Sequence, residues 1–220
     1  STISTLSGDI SFGGDIYGKF VNGIATSIEP SSTKASNISS TTGDIIINGY
    51  GVTQITETNT GWRHGVVIDG SQTFPSIISS TSGNISLEGW SLYSGYNDQS
   101  GVQIQGDSKI VSSTGNIILK GHIDNPDLGQ YSNAIRFAGN DYANAIRIGF
   151  NGTNPYSGNI LIEGNSIYQR STHSGAGSIA VQTTGTLESQ SSEANTLDKS
   201  PYSSLKIEYE NTCQKMSCIA

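Results

Sequence analysis

Carboxylates, histidines and aromatic rings are the side chains here that could do chemistry, and their spacing decides more than their number. His64, His122 and His173 share no motif and no fixed partner, so a surface position is expected for each. No Gly-x-Ser-x-Gly, His-Glu-x-x-His or phosphate-loop pattern occurs. Asp98, Asp107, Asp124, Asp127 and Asp141 would suit polysaccharide cleavage if the fold gathered them, because that chemistry needs clustered carboxylates. Sequence does not gather them. The expectation is a non-enzyme with no catalytic residues, no metal and no cofactor.

One acidic or amide position does recur, as Asp9, Asp44, Asn84, Asn116 and Asn159. It could be a metal ladder, or its side chains could bond backbone at turns. Bonding to backbone is the expectation, on the reasoning that these positions fall two coils apart, too far to share an ion. Trp62, Trp90, Tyr93, Tyr96, Tyr131 and Tyr142 form a second group. They could stack on sugars or anchor a protein receptor, or they could shield apolar surface; both readings stay open. Sequons occur at Asn37, Asn84 and Asn151 as possible glycosylation sites, although turn chemistry alone explains Asn84. Cys213 and Cys218 could close a small terminal disulfide loop or remain two free thiols.

The elements that must position these groups come from a heptapeptide of Gly, Asp or Asn, Ile, any, large apolar, any, Gly. It begins at Gly8, Gly43, Gly83, Gly115 and Gly158, at separations of 35, 40, 32 and 43 residues. A lead-in such as Ile38-Ser39-Ser40 or Ile78-Ser79-Ser80 precedes it, and a second rung type follows, as in Gly65-Val66-Val67-Ile68 and Gly101-Val102-Gln103-Ile104. The two rung types lie 17 to 21 residues apart, which predicts coils of about 19 residues, two per repeat. In each triplet the first and third side chains point inward and the fourth position faces solvent. The closing glycine is expected to turn the chain with positive φ. Roughly 11 coils stacked about 4.8 Å apart would give a rod on the order of 50 Å long.

Composition agrees with an all-β fold. Charged residues are 13%, hydrophobic residues 34%, with 27 glycines and no helical period. A net charge of −7, with its basic residues scattered, argues against nucleic acid or anionic membrane as partner. No apolar run approaches the roughly 20 residues that span a bilayer. The start lacks a signal peptide, and repeats begin at once, so a fragment is expected. The β-helix is expected over residues 1–183, with a polar cap or tail over 184–220 that holds one more strand and the cysteines. Variable loops lie near residues 51–61, 90–100 and 122–132, the last two carrying Trp90, Tyr93, Tyr96 and Tyr131, and such loops on rigid scaffolds are where binding concentrates.

The alternation of SSTTGDIIINGYG with RHGVVIDG, and of STSGNISLEGWS with QSGVQIQG, resembles the repeats of Gram-negative exoproteins of the filamentous-haemagglutinin and high-molecular-weight adhesin type. The resemblance covers roughly residues 1 to 183. It implies a right-handed parallel β-helix, export by two-partner secretion through an outer-membrane transporter, and a secreted or cell-surface location. Adhesion to a host or neighbouring-cell receptor or glycan is the implied activity, with a purely structural spacer as the alternative. The secretion domain of such proteins is not recognisable here. Cys213 and Cys218 resemble the terminal cysteine pair by which some of them stay tethered to their pore.

Overall fold

The lead-in, the heptapeptide and the second rung are each a separate strand in the computed structural model, and together they make one turn of a parallel β-solenoid. The structure describes residues 1–17, 23–31, 33–52, 63–92, 99–123, 132–139, 146–151, 154–155, 158–164, 167–171, 179–183, 187–191 and 206–209, with side chains over a subset of these. The first coil is β1 (Thr2–Thr5), β2 (Ile10–Tyr17) and β3 (Gly23–Ile28). The second is β4 (Ser36–Ser40), β5 (Ile45–Val52) and β6 (Arg63–Asp69), and the third β7 (Ser76–Ser80), β8 (Ile85–Leu92) and β9 (Gln99–Gly106). The fourth is β10 (Ser108–Ser112), β11 (Ile117–Ile123) and β12 (Ser132–Gly139). In the fifth, β13 (Ile146–Ile148) is followed by a hairpin, β14 (Phe150–Asn151) and β15 (Asn154–Pro155), then by β16 (Ile160–Gly164) and β17 (Ile167–Ser171). Strand β18 (Ile179–Thr183) stacks on β13, and β19 (Leu187–Ser191) and β20 (Lys206–Tyr209) continue the stack beyond residue 183.

Three parallel sheets result. Sheet A runs β1-β4-β7-β10-β13-β18-β20, sheet B runs β2-β5-β8-β11-β16-β19, and sheet C runs β3-β6-β9-β12-β17. The expected coil of about 19 residues is therefore wrong by a factor of two. Ile45 pairs directly with Ile85, Ile85 with Ile117, and Ile117 with Ile160, so one coil is a whole repeat. Periodicity misled because rungs of sheets B and C look alike in sequence yet belong to different faces of one coil. Seven rungs of sheet A at about 4.8 Å span only about 29 Å.

The core is where alternation puts it. Ile38, Ile78, Ile110 and Ile148 line it from sheet A, Ile45, Ile47, Ile85, Leu87, Ile117 and Leu119 from sheet B, and Val66, Ile68, Val102, Ile104, Ile135 and Phe137 from sheet C. No strand could bury such a column alone; stacking removes each aliphatic chain from water, worth about 1.5–3 kcal/mol per residue.

The sheet A to sheet B corner explains the Ser/Thr-x-x-Gly-Asx pattern. Gly43 N–H donates to Ser40 Oγ at 2.8 Å, Gly83 N–H to Ser80 Oγ at 2.9 Å and Gly115 N–H to Ser112 Oγ at 3.0 Å. A Cβ on Gly83 would fall 2.0 Å from the Gly43 carbonyl oxygen, so glycine is required by close approach between coils. The closing glycines also differ from expectation. Strand β8 runs straight through Gly89, whose Cβ would lie 1.9 Å from Gly101 O, where sheets B and C meet. Positive φ occurs instead at Gly106 and Gly149.

Candidate functional site

Strand alternation on sheet B points residues 45 and 47 inward and residues 46, 48 and 50 outward, and the same alternation holds over 85–88, 117–120 and 160–163. Two outward columns bear chemistry. Asn48, Glu88, Lys120 and Glu163 stack in register, and Lys120 Nζ reaches Glu163 Oε2 at 3.2 Å. Both partners are about half exposed, which makes this pair worth at most about 1 kcal/mol. Beside it, Tyr50, Trp90 and His122 are aligned. The Tyr50 and Trp90 rings stack with centroids 4.5 Å apart and 8° between planes.

That stacking matters for recognition. In-register rungs set the ring planes across the rod axis, so each ring spends one face on its neighbour and turns its edge outward. A sugar seeking an open aromatic face finds that side of Trp90 covered by Tyr50. For Trp90 the geometry favours shielding over a carbohydrate platform. Tyr50 escaped the list of aromatic candidates, although its place after the closing glycine, shared with Asp15, Trp90 and His122, marks it.

The recurrent Asx position forms a continuous ladder. Asp44 N–H donates to Asp9 Oδ1 at 2.8 Å, Asn84 N–H to Asp44 Oδ1 at 2.7 Å, Asn116 N–H to Asn84 Oδ1 at 2.9 Å and Asn159 N–H to Asn116 Oδ1 at 3.0 Å. Asn84 Nδ2 also donates to Asp44 Oδ1 at 3.2 Å. Backbone bonding was the right expectation for the wrong reason: the positions are one coil apart, and each side chain serves the next coil. Among the described residues no His, Cys, Asp and Glu set could hold a metal.

Sheet C carries a polar chain that runs from buried Ser100 and Gln103 to the partly buried Gln105 and Asp69. Ser100 Oγ donates to Gln103 Oε1 at 3.3 Å, Gln103 Nε2 donates to Gln105 Oε1, and Gln105 Nε2 donates to Asp69 Oδ2 at 2.8 Å. Burial pushes the Asp69 carboxyl above its ordinary range; the Gln105 bond opposes this, the charge of Glu29 adds to it, and the Gly70 N–H opposes it. Arg136, aligned with Gln103, is buried. His64 is a correction: it is 1% exposed on β6, because that part of sheet C is buried on both sides. His122 is exposed as expected.

A hydroxyl-lined groove of about 430 Å³ runs along the outside of sheet A past Ser4, Ser39, Ser79, Thr41, Thr81 and Val111. Asn37 sits on β4 and Asn84 in the ladder, while for Asn151 only the backbone of β14 is described. Trp62, Tyr93, Tyr96, Tyr131, Tyr142, His173, Asp98, Asp124, Asp127, Asp141, Cys213 and Cys218 lie outside the described residues. Asp107 is buried, its N–H donating to Gly70 O and its carbonyl accepting from Ser76 N–H. No protein family, curated protein or solved structure matches the chain.

Proposed function

We propose that the chain is a binding segment of a secreted bacterial surface adhesin, a non-enzymatic β-solenoid whose loops contact a receptor or glycan on a host or neighbouring cell. Export through an outer-membrane two-partner-secretion transporter belongs to the same reading, as does the cell surface as its location. One observation supports it most. Residues 53–62, 93–98 and 124–131 each join the end of a sheet B strand to the start of a sheet C strand, and those strand ends stack: Val52 on Leu92, Ser91 on Ile123, Arg63 on Gln99, Gln99 on Ser132. The segments carrying Trp62, Tyr93, Tyr96 and Tyr131 are thus anchored along one edge of a rigid scaffold.

A spacer that only holds a distant tip away from the cell is the second reading, favoured by the Tyr50–Trp90 stack, which uses aromatic surface for cohesion. Soluble protein on a glycan array and on whole cells separates the two. The binding reading expects retention that disappears when residues 53–60 and 93–98 are replaced by glycine and serine. Absence of retention on every glycan and cell tested leaves the spacer.

A further inference from the structure

Two of the three exposed large hydrophobic residues among those described lie on the first coil: Ile3 is 46% exposed and Leu6 is 79% exposed. Ile3 occupies the same column as Ile38, Ile78, Ile110 and Ile148, none of which exceeds 3%. Each sheet also begins on this coil, since β1, β2 and β3 have a strand neighbour on one side only. An edge of three unpaired parallel strands over an open aliphatic column is a template for further pairing.

The Asx ladder gives that edge a direction. At each of the four junctions, a side-chain oxygen of one coil accepts the N–H of the Asx residue in the next coil along the chain. Asp9 supplies the acceptor to Asp44, and its own N–H is the group that a coil on the other side would meet. We propose that the first-coil edge is a docking surface for one more coil of the Ser/Thr-x-x-Gly-Asx-Ile pattern, held in parallel register. Its Asx oxygen accepts from Asp9 N–H, and its aliphatic residues cover Ile3. The interface is continuous with the four coil junctions already formed, and the acceptor requirement selects its chemistry. The far end of a second copy fits less well: Leu187 stacks on Ile160, but the residue ahead of it is Thr186 rather than Asp or Asn.

Appending a copy of residues 36–70 ahead of Ser1 in the full chain tests this, with amide hydrogen exchange at Asp9 and across Thr2–Thr5 as readout. Exchange should slow roughly fivefold or more, the worth of one added hydrogen bond per amide. Asp44→Ala in the appended copy should release Asp9 while leaving Thr2–Thr5 slowed. A second fusion carrying residues 71–106 guards against an appended coil that fails to fold. Unchanged Asp9 exchange in both fusions overturns the proposal, as does full protection with Asp44→Ala. Protection that rises with concentration in the unextended chain also overturns it, because a second copy is then the occupant.

Discussion

Asn116 shows what a single side chain contributes. Its Oδ1 accepts the Asn159 N–H, while its own N–H is held by Asn84 Oδ1, so it bonds upward and downward in one ladder. Asn116→Ala leaves one solvent-exposed backbone donor at a coil junction without its side-chain partner, and thermal or urea unfolding should register a loss of about 0.5–1 kcal/mol. Asn116→Asp keeps the acceptor, as Asp9 and Asp44 do naturally, and should lose clearly less. Asp69 gives a pH signature. Its carboxyl is held above the ordinary value of 3.8 chiefly by burial, so the folded chain favours the protonated form. The stability this contributes is complete below the ordinary carboxylate value and is lost as pH rises through the raised one. Asp69→Asn retains an acceptor for Gln105 without the charge. Urea midpoints measured from about pH 3 to about pH 7 should therefore shift in favour of the variant as pH rises. Of these residues the Asx position was legible in sequence because it recurs in a fixed frame. The sheet C chain was not, since Gln103 and Gln105 share one strand face but meet Asp69 only through coil stacking.

At the scale of elements, strand existence and facing were readable because a period of two leaves its mark on every copy. The triplets Ile45-Ile46-Ile47 and Ile85-Ser86-Leu87 face as alternation requires, with the middle residue less buried. The role of glycine was misread, because a sequence shows that Cβ is absent without showing which contact forbids it. Gly83 and Gly13 separate the two causes. A Cβ at Gly83 meets the Gly43 carbonyl at 2.0 Å, whereas a Cβ at Gly13 meets nothing within 4 Å. Gly83→Ala should force coils three and two apart and lower the unfolding temperature sharply, by several degrees or more. Gly13→Ala should unfold within a degree or two of the parent, about ±0.5 kcal/mol. Equal effects from both substitutions would contradict the close-approach account.

For the whole molecule, the parallel β-solenoid was legible and its pitch was not. Repeat spacing of 32 to 43 residues is compatible with two short coils or one long one, and only strand pairing decides. Three sheets per coil place the sheet B to sheet C connections on a single edge, which is why the binding reading concentrates there and not on the Tyr50–Trp90 stack. The stacking of one whole repeat per coil underlies all of this, and a distance between spin labels at Ser11 and Leu161 tests it most directly. Both positions face outward on the column Ser11, Ile46, Ser86, Ile118, Leu161, four rungs end to end. Pulsed EPR should return a separation near 19 Å, about four rung spacings, whereas about 38 Å, the value for two coils per repeat, would contradict the architecture.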